Sequence, residues 1–341
     1  MSNIISKEIH LASRPNGMPK LSDFTLAENS LSQPEAGEFL VRNIWMSVDP
    51  YMRGRMMDRE SYVPPFQIGH VLEGGSIGQV VASSHDDYAV GDYVSGMMGW
   101  REYFISNGDM MSKVDPSIAP IETFLGTLGM PGLTAYAGLL RVGALKDGEN
   151  VFVSAASGAV GSVVCQIAKA KGCHVAGTAG SDEKCAWLEK EAGIDAAINY
   201  KTCGDLDSAI RRASPKGIDV CFENVGGAHL QAALNNMRMR GRIALCGMID
   251  QYNNTAPEPG PNNLILAVGM SLKMEGFIVT NHIDMMSDFH RDMGQWITEG
   301  KIKWRQTVDE GIEKAPEAFL KLFTGDNFGK MLVKVGPDPA I

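Results

Sequence analysis

Ala156, Gly158 and Gly161 stand in the spacing G-x-G-x-x-G, with alanine in the first place. Small residues so spaced let a backbone bend sharply, approach a pyrophosphate closely and pack a helix on a strand. The flanking residues supply both elements. Val151 to Val153 is a short apolar run, and beyond the turn Val160, Val163, Val164, Ile167 and Ala168 recur at i, i+3, i+4, i+7 and i+8. That recurrence is one face of a helix. The helix N-terminus offers free N–H groups and a partial positive charge to phosphates. By itself the pattern equally describes a strand–turn–helix with no ligand, so the decision rests on what surrounds it.

Downstream the chain alternates. His174 to Thr178, Ala196 to Asn199, Ile218 to Glu223, Arg242 to Cys246 and Lys273 to Val279 read as strands. Between them lie helical stretches at Asp182 to Ala192, Leu206 to Ala213, Ala228 to Met237 and about Asn262 to Met270. Strands separated by helices imply a parallel sheet covered on both faces. A glycine turn after the first strand of such a series is where a Rossmann domain holds its dinucleotide. Sites for NAD place Asp or Glu at the end of the second strand, on the ribose 2′-hydroxyl. Here that strand runs into Thr178-Ala179-Gly180-Ser181, with no acid, and Lys184 follows in the next helix. Lys184 is an ordinary helix lysine or a partner for a 2′-phosphate. Asp182 and Glu183 suit a helix N-terminus whatever the ligand. The missing acid and the available base favour NADPH.

Composition narrows the class further. The 341 residues suffice for two domains, and a net charge of −9 disfavours nucleic acid or an anionic membrane as partner. Apolar stretches are shorter than a membrane span, and the first residues, MSNIISKEIHLASRP, lack a secretion-signal layout. Cys165, Cys173, Cys185, Cys203, Cys221 and Cys246 form no C-x-x-C pair. Reduced thiols in a cytoplasmic protein are expected. From Glu38 to Lys113 short β-rich runs alternate with turn dipeptides such as Gly91-Asp92 and Asn107-Gly108, which predicts an antiparallel, barrel-like domain. Two amphipathic helices follow Asn281, and a last strand, Lys330 to Val335, is expected to return to the first domain. The boundaries read 1–125, completed by 305–341, and 126–304.

Eight segments in order carry a resemblance: SVDPYMRGRM from Ser47, PGLTAYAGL from Pro131, AASGAVGS from Ala155, GSDEK from Gly180, NYK from Asn199, ENVGG from Glu223, CGMIDQYN from Cys246 and GDNFGKMLV from Gly325. The chain resembles the zinc-independent medium-chain dehydrogenases/reductases, the branch of leukotriene B4 12-hydroxydehydrogenase/prostaglandin reductase and bacterial curcumin reductase. The resemblance implies a GroES-like β-barrel domain beside the Rossmann domain, and a homodimer. It also implies that Gly158, Ala159, Val160 and Gly161 turn around the pyrophosphate, and that Lys184 and Tyr200 flank the 2′-phosphate. Asn224, Cys246, Gly247, Met248, Ile249, Tyr252, Phe277, Ile278, Val279 and Asn327 complete the cofactor contacts it implies. Without the resemblance Tyr200 and Asn224 are ordinary loop residues, and Phe277 to Val279 is a buried strand end.

Zinc-dependent relatives need a cysteine ligand in the first domain and a Gly-His-Glu motif. No cysteine precedes Cys165, and Gly69-His70 is followed by Val71. No metal is expected, and His70 reads as a packed or capping histidine. Without a Lewis acid, reduction of an activated double bond suits the chain better than alcohol oxidation. Hydride reaches the β-carbon of an α,β-unsaturated ketone or aldehyde, and a donor must meet the enolate oxygen. Tyr252 matches the tyrosine that the family places beside the carbonyl, and Tyr51 would face it across the cleft; the ribose hydroxyl of the cofactor is the competing donor. Arg53 and Arg55 read as a solvated face. Quinone reduction and a non-catalytic NADPH-binding role remain alternatives. Among enones and enals, diarylheptanoid dienones such as curcumin and medium-chain 2-alkenals fit equally.

Overall fold

The computed structural model describes residues 4–337. Its contacts divide the described chain into two units. One comprises 4–125, 306–327 and 331–337, and the other comprises 126–305 with Phe328–Lys330.

The first unit begins with strands β1 (Ile4–Leu11) and β2 (Phe24–Leu31), paired antiparallel with Ile4 opposite Leu31. Then come β3 (Phe39–Ser47), the one-turn helix α1 (Met52–Arg55), β4 (Ser76–Ser83), β5 (Tyr93–Gly96), β6 (Tyr103–Ser106) and β7 (Ser112–Val114). Phe39, Val41, Val80, Val94 and Phe104 form one buried cluster between these strands. A second cluster gathers Phe24, Trp100 and Phe319, with the rings of Phe24 and Trp100 stacked at 6.0 Å. Arg53 and Arg55 are not on a solvated face; both are buried. Arg53 Nη2 donates to the Gly17 carbonyl at 2.9 Å. Arg55 donates to the Pro64 carbonyl (2.9 Å) and the Glu73 carboxylate (2.7 Å), and its guanidinium lies 4.1 Å from the Phe66 ring centre. At Arg55 a forked, delocalised cation tolerates such burial because its donors find acceptors in its own plane.

The second unit contains α2 (Met130–Ala137), β8 (Asn150–Val153), α3 (Gly161–Ala170), β9 (His174–Ala179), α4 (Asp182–Lys190), β10 (Ala196–Asn199), α5 (Leu206–Ala213), β11 (Ile218–Glu223), α6 (Gly227–Asn236), β12 (Met237–Leu245), α7 (Ile265–Gly269), β13 (Lys273–Gly276) and α8 (Met286–Thr298). Its six strands are parallel in the order β10-β9-β8-β11-β12-β13. In sequence numbers that is 3-2-1-4-5-6, the doubly wound arrangement with its switch point between β8 and β11. Every residue of β8 is buried, as a central parallel strand requires. Helix α3 buries Val163, Val164, Ile167 and Ala168 as its period demands. It also buries Gln166, whose amide exchanges hydrogen bonds with the Lys303 backbone at 2.7 and 2.8 Å.

The chain then adds β14 (Gln306–Glu310), α9 (Ala315–Thr324) and β15 (Lys330–Lys334). β15 pairs antiparallel with β3, giving the first unit a seven-stranded sheet ordered β14-β15-β3-β4-β5-β7, with β6 also on β3.

Candidate active site at the carboxyl edge of the parallel sheet

At the switch point the ends of β8 and β11 are locked together. Ser154 Oγ donates to Glu223 Oε1 at 2.7 Å and accepts the Asn224 N–H at 2.7 Å. Asn224 Nδ2 donates to the Ser154 carbonyl at 2.7 Å. Glu223 Oε1 also accepts the N–H groups of Val225 (2.7 Å) and Gly226 (2.8 Å). Glu223 is completely buried, and desolvation raises its carboxyl above the ordinary glutamate range despite these donors. The folded chain therefore holds this proton more tightly than the unfolded one. Stability is lost as pH rises from the ordinary value of 4.5 through the folded pKa. Glu223→Gln keeps an acceptor oxygen and removes the charge. Denaturant melts at pH 4.5 and pH 7 are expected to show the wild type losing stability relative to the variant; parallel behaviour would refute the assignment.

The glycine turn follows β8. Ala155 takes a positive φ of 48°, and the Ala156 N–H bonds the Thr178 carbonyl at 2.8 Å, tying the turn to β9. A Cβ on Gly161 would fall 2.4 Å from the Ala155 carbonyl oxygen, so only glycine opens α3 at this spacing. Gly158 and Val160 sit half-buried beside Ala159, with Gly161 beneath them. One partner was not foreseen from the sequence: the Gly329 N–H donates to the Ser157 carbonyl at 3.1 Å, bridging Gly158 to Gly329. The invisible signal is an isolated glycine more than 160 residues away.

At the end of β9, Ser181 caps α4 by accepting the Lys184 N–H at 3.3 Å. Tyr200 follows β10, its N–H on the Ala179 carbonyl at 3.1 Å. Its hydroxyl lies over Gly180, where a Cβ would come within 3.1 Å of it. Tyr200 and the Lys201 side chain, 3.4 Å from the same Cβ position, thus meet at Gly180, while Lys184 lies in the first turn of α4. The two acids beside them have partners: Asp182 accepts from Asn199 at 2.6 Å, and Glu183 lies 3.7 Å from Arg305.

The loop after β12 is fastened to the loop after β11. The N–H groups of Cys246 and Gly247 reach the Glu223 carbonyl (2.9 and 3.1 Å), that of Ile249 the Asn224 carbonyl (3.2 Å) and that of Asp250 the Val225 carbonyl (3.1 Å). Met248 packs against Gly226. These bonds carry Tyr252 back over the sheet: its hydroxyl is the nearest atom, 3.1 Å, to a Cβ built on Gly247, with the Asn224 carbonyl next at 3.4 Å. Burial and the neighbouring Glu223 push the Cys246 thiol up to about 12, so it is no thiolate at neutral pH. β13 stops at Gly276, short of the expected Val279. The Phe277 ring turns inward onto Phe222 (6.1 Å) and over Gly138, so Ile278 and Val279 leave the sheet as a turn.

In the first unit, Tyr51 caps α1. Its hydroxyl is buried with no hydrogen-bond partner among the described residues, and burial beside Asp49 raises its pKa. It is a neutral O–H at physiological pH. Asn327 ends the segment that precedes Phe328.

The residues that a catalytic zinc would need do not fit one. His70 is exposed rather than packed, its ring Nδ1 3.2 Å from the Ile68 carbonyl, and Ser47 donates to Asp49. No group of three or more His, Cys, Asp or Glu among the described residues is placed to hold a metal.

A family profile described as the N-terminal domain of oxidoreductase matches residues 7–114, and one described as zinc-binding dehydrogenase matches residues 159–298. The chain is 43% identical to an NADPH-dependent curcumin reductase of Escherichia coli over 96% of each chain. It is 44% identical to prostaglandin reductase 1 of Rattus norvegicus over 93% of this chain and 95% of that one. The crystal structure of CurA from Vibrio vulnificus in complex with NADPH superposes with a TM-score of 0.92 at 41% identity, covering 97% of this chain and all of that one.

Proposed function

The chain belongs to the medium-chain dehydrogenase/reductase family that holds prostaglandin reductase and bacterial curcumin reductase, and from that premise we propose its reaction. It is an NADPH-dependent oxidoreductase that reduces the C=C bond of α,β-unsaturated ketones and aldehydes. Bound NADPH supplies the hydride that reaches the β-carbon. The turn from Gly158 to Gly161, closed by the Gly158 N–H on the Ala155 carbonyl at 3.0 Å, would set the α3 N-terminus against its pyrophosphate, and Lys184 and Tyr200 would meet its 2′-phosphate. Asn224, the Cys246 to Tyr252 loop, Phe277 to Val279 and Asn327 complete the hold.

As the new C–H bond forms, negative charge collects on the carbonyl oxygen, and a prearranged donor lowers the barrier. Tyr252 is that donor. The single observation that supports this role is its hydroxyl at the carboxyl ends of β11 and β12, against Gly247. Tyr51, a neutral phenol with a buried hydroxyl, is the second tyrosine this reading assigns to the substrate. No zinc takes part in this reading, since the ligand positions hold Ser47, His70 and Val71. The test is NADPH consumption with alkenals, enones, curcumin and quinones, and with NADH as control. Enones and enals should turn over fastest. Quinones outrunning them would replace this reading with quinone reduction.

Lys184→Ala removes a charge-assisted contact worth about 1.5–3 kcal/mol. The expected result is a 10- to 100-fold higher KM for NADPH with KM for NADH unchanged; an equal rise for both would remove Lys184 from the 2′-phosphate site. We also propose a homodimer. The parallel sheet ends at β13, and Leu264, Ile265 and Val268 stand exposed in and beside α7. Such an edge invites strand addition by a second copy. Light scattering should give twice the chain mass, and a monomer would overturn this. Six free cysteines suit a cytoplasmic location.

A further inference from the structure

Tyr200 is 39% exposed and sits on a loop, so its own backbone does little to hold its ring. Behind it stands His229, the third residue of α6 and only 7% exposed. The two rings meet edge to face, centroids 5.1 Å apart at 75°. His229 Nε2 is buried with no hydrogen-bond partner among the described residues. A residue that served only to fill the core would carry no such unmet nitrogen, since an aliphatic side chain fills space without that cost.

We propose that His229 is a positioning residue for the 2′-phosphate of the coenzyme, holding the Tyr200 ring over Gly180 and thereby sharpening the preference for NADPH over NADH. The inference rests on the NADPH reading above. The aromatic contact fixes in advance a ring that would otherwise be ordered only when the ligand arrives, and such preorganisation appears as affinity. Burial lowers the basicity of His229, against the pull of Asp250, so the imidazole acts as a neutral ring and not as a second cation at the phosphate. Its influence passes through Tyr200 alone.

The experiment is calorimetric titration of the full chain with 2′,5′-ADP and with 5′-AMP, which reads the phosphate corner without turnover. His229→Ala should weaken 2′,5′-ADP about 3- to 10-fold and leave 5′-AMP unchanged. His229→Phe, which keeps a ring, should restore the lost affinity. In a Tyr200→Ala background His229→Ala should have no further effect, because its route is gone. An equal loss for both ligands, or a full effect persisting without Tyr200, would overturn the proposal. A wild type that fails to prefer 2′,5′-ADP would instead overturn the NADPH reading beneath it.

Discussion

Replacing Tyr252 by phenylalanine is expected to lower kcat for an enone by about 100-fold or more, while NADPH affinity and thermal midpoint stay near those of the wild type. The size follows from the loss of one preorganised donor to a developing oxyanion, typically about 100- to 1000-fold. The direction follows from timing. The ground-state carbonyl carries little charge, so the phenol bonds most strongly in the transition state, and the loss falls on kcat more than on KM. Structure should survive because the backbone bonds of Ile249 and Asp250 to Asn224 and Val225 hold this loop, independent of the tyrosine hydroxyl. Stopped-flow measurement of the hydride step with NADPH and a 2-enone checks it. A fall of less than about threefold would assign the charge to another donor, and Tyr51→Phe in the same assay would then locate it.

That prediction places the charge stabilisation on phenols and not on a metal, and the sequence already pointed there. No cysteine precedes Cys165, whereas the ligand set of a zinc-dependent relative takes one from the first domain. The parallel sheet was equally legible, because β8, β9 and β11 are almost wholly buried and carry apolar or small residues through their middles, with polar ones such as Asn150, His174, Asp219 and Glu223 at or near their ends. The glycine turn was legible because its constraint is local: Gly161 and the Ala155 oxygen that excludes a Cβ lie six residues apart.

What stayed hidden has physical reasons. β1 and β2 are hard to read from the sequence, since ISKEIH carries charge on both faces, TLAENS is mostly small or polar, and the connection between them is twelve residues long, too long for its Asn16-Gly17 turn to mark a two-residue hairpin. β14, QTVDE, is an edge strand with no fully buried residue. β13 was drawn three residues too long because Phe277 is apolar for packing on Phe222, not for extending a strand. Arg53 and Arg55 looked solvated because charge says nothing about which carbonyls fold over it. At the candidate site the same limit holds. Lys184 and the missing acid can be read from chain order, whereas the Tyr200–His229 contact and the Gly329–Ser157 bond join residues with no sequence relation.

The last of these bonds carries the second large effect. Gly329 has φ +69°, and a Cβ there would lie 1.9 Å from the Arg305 carbonyl oxygen and 2.5 Å from its carbon. Both are backbone atoms, held in turn by the Lys330 N–H at 2.9 Å, so no side-chain rotation relieves the collision. Gly148 supplies the control: φ is +79°, but nothing lies within 4 Å of its Cβ position. Gly148→Ala should cost only the left-handed backbone penalty, about 1 kcal/mol. Gly329→Ala adds a backbone clash to that penalty and should lose about 4 kcal/mol or more. Because the displaced N–H is the one that holds the Ser157 carbonyl, the damage should reach the pyrophosphate turn. Where the variant folds, its NADPH dissociation constant is expected to rise about tenfold or more, equivalent to about 1.4 kcal/mol. Thermal melts of the two variants, with and without NADPH, separate the contributions. If Gly329→Ala melts with Gly148→Ala and binds NADPH as the wild type does, the segment from Phe328 to Lys330 has no part in shaping the turn, and the glycine spacing of Ala156 to Gly161 must suffice alone.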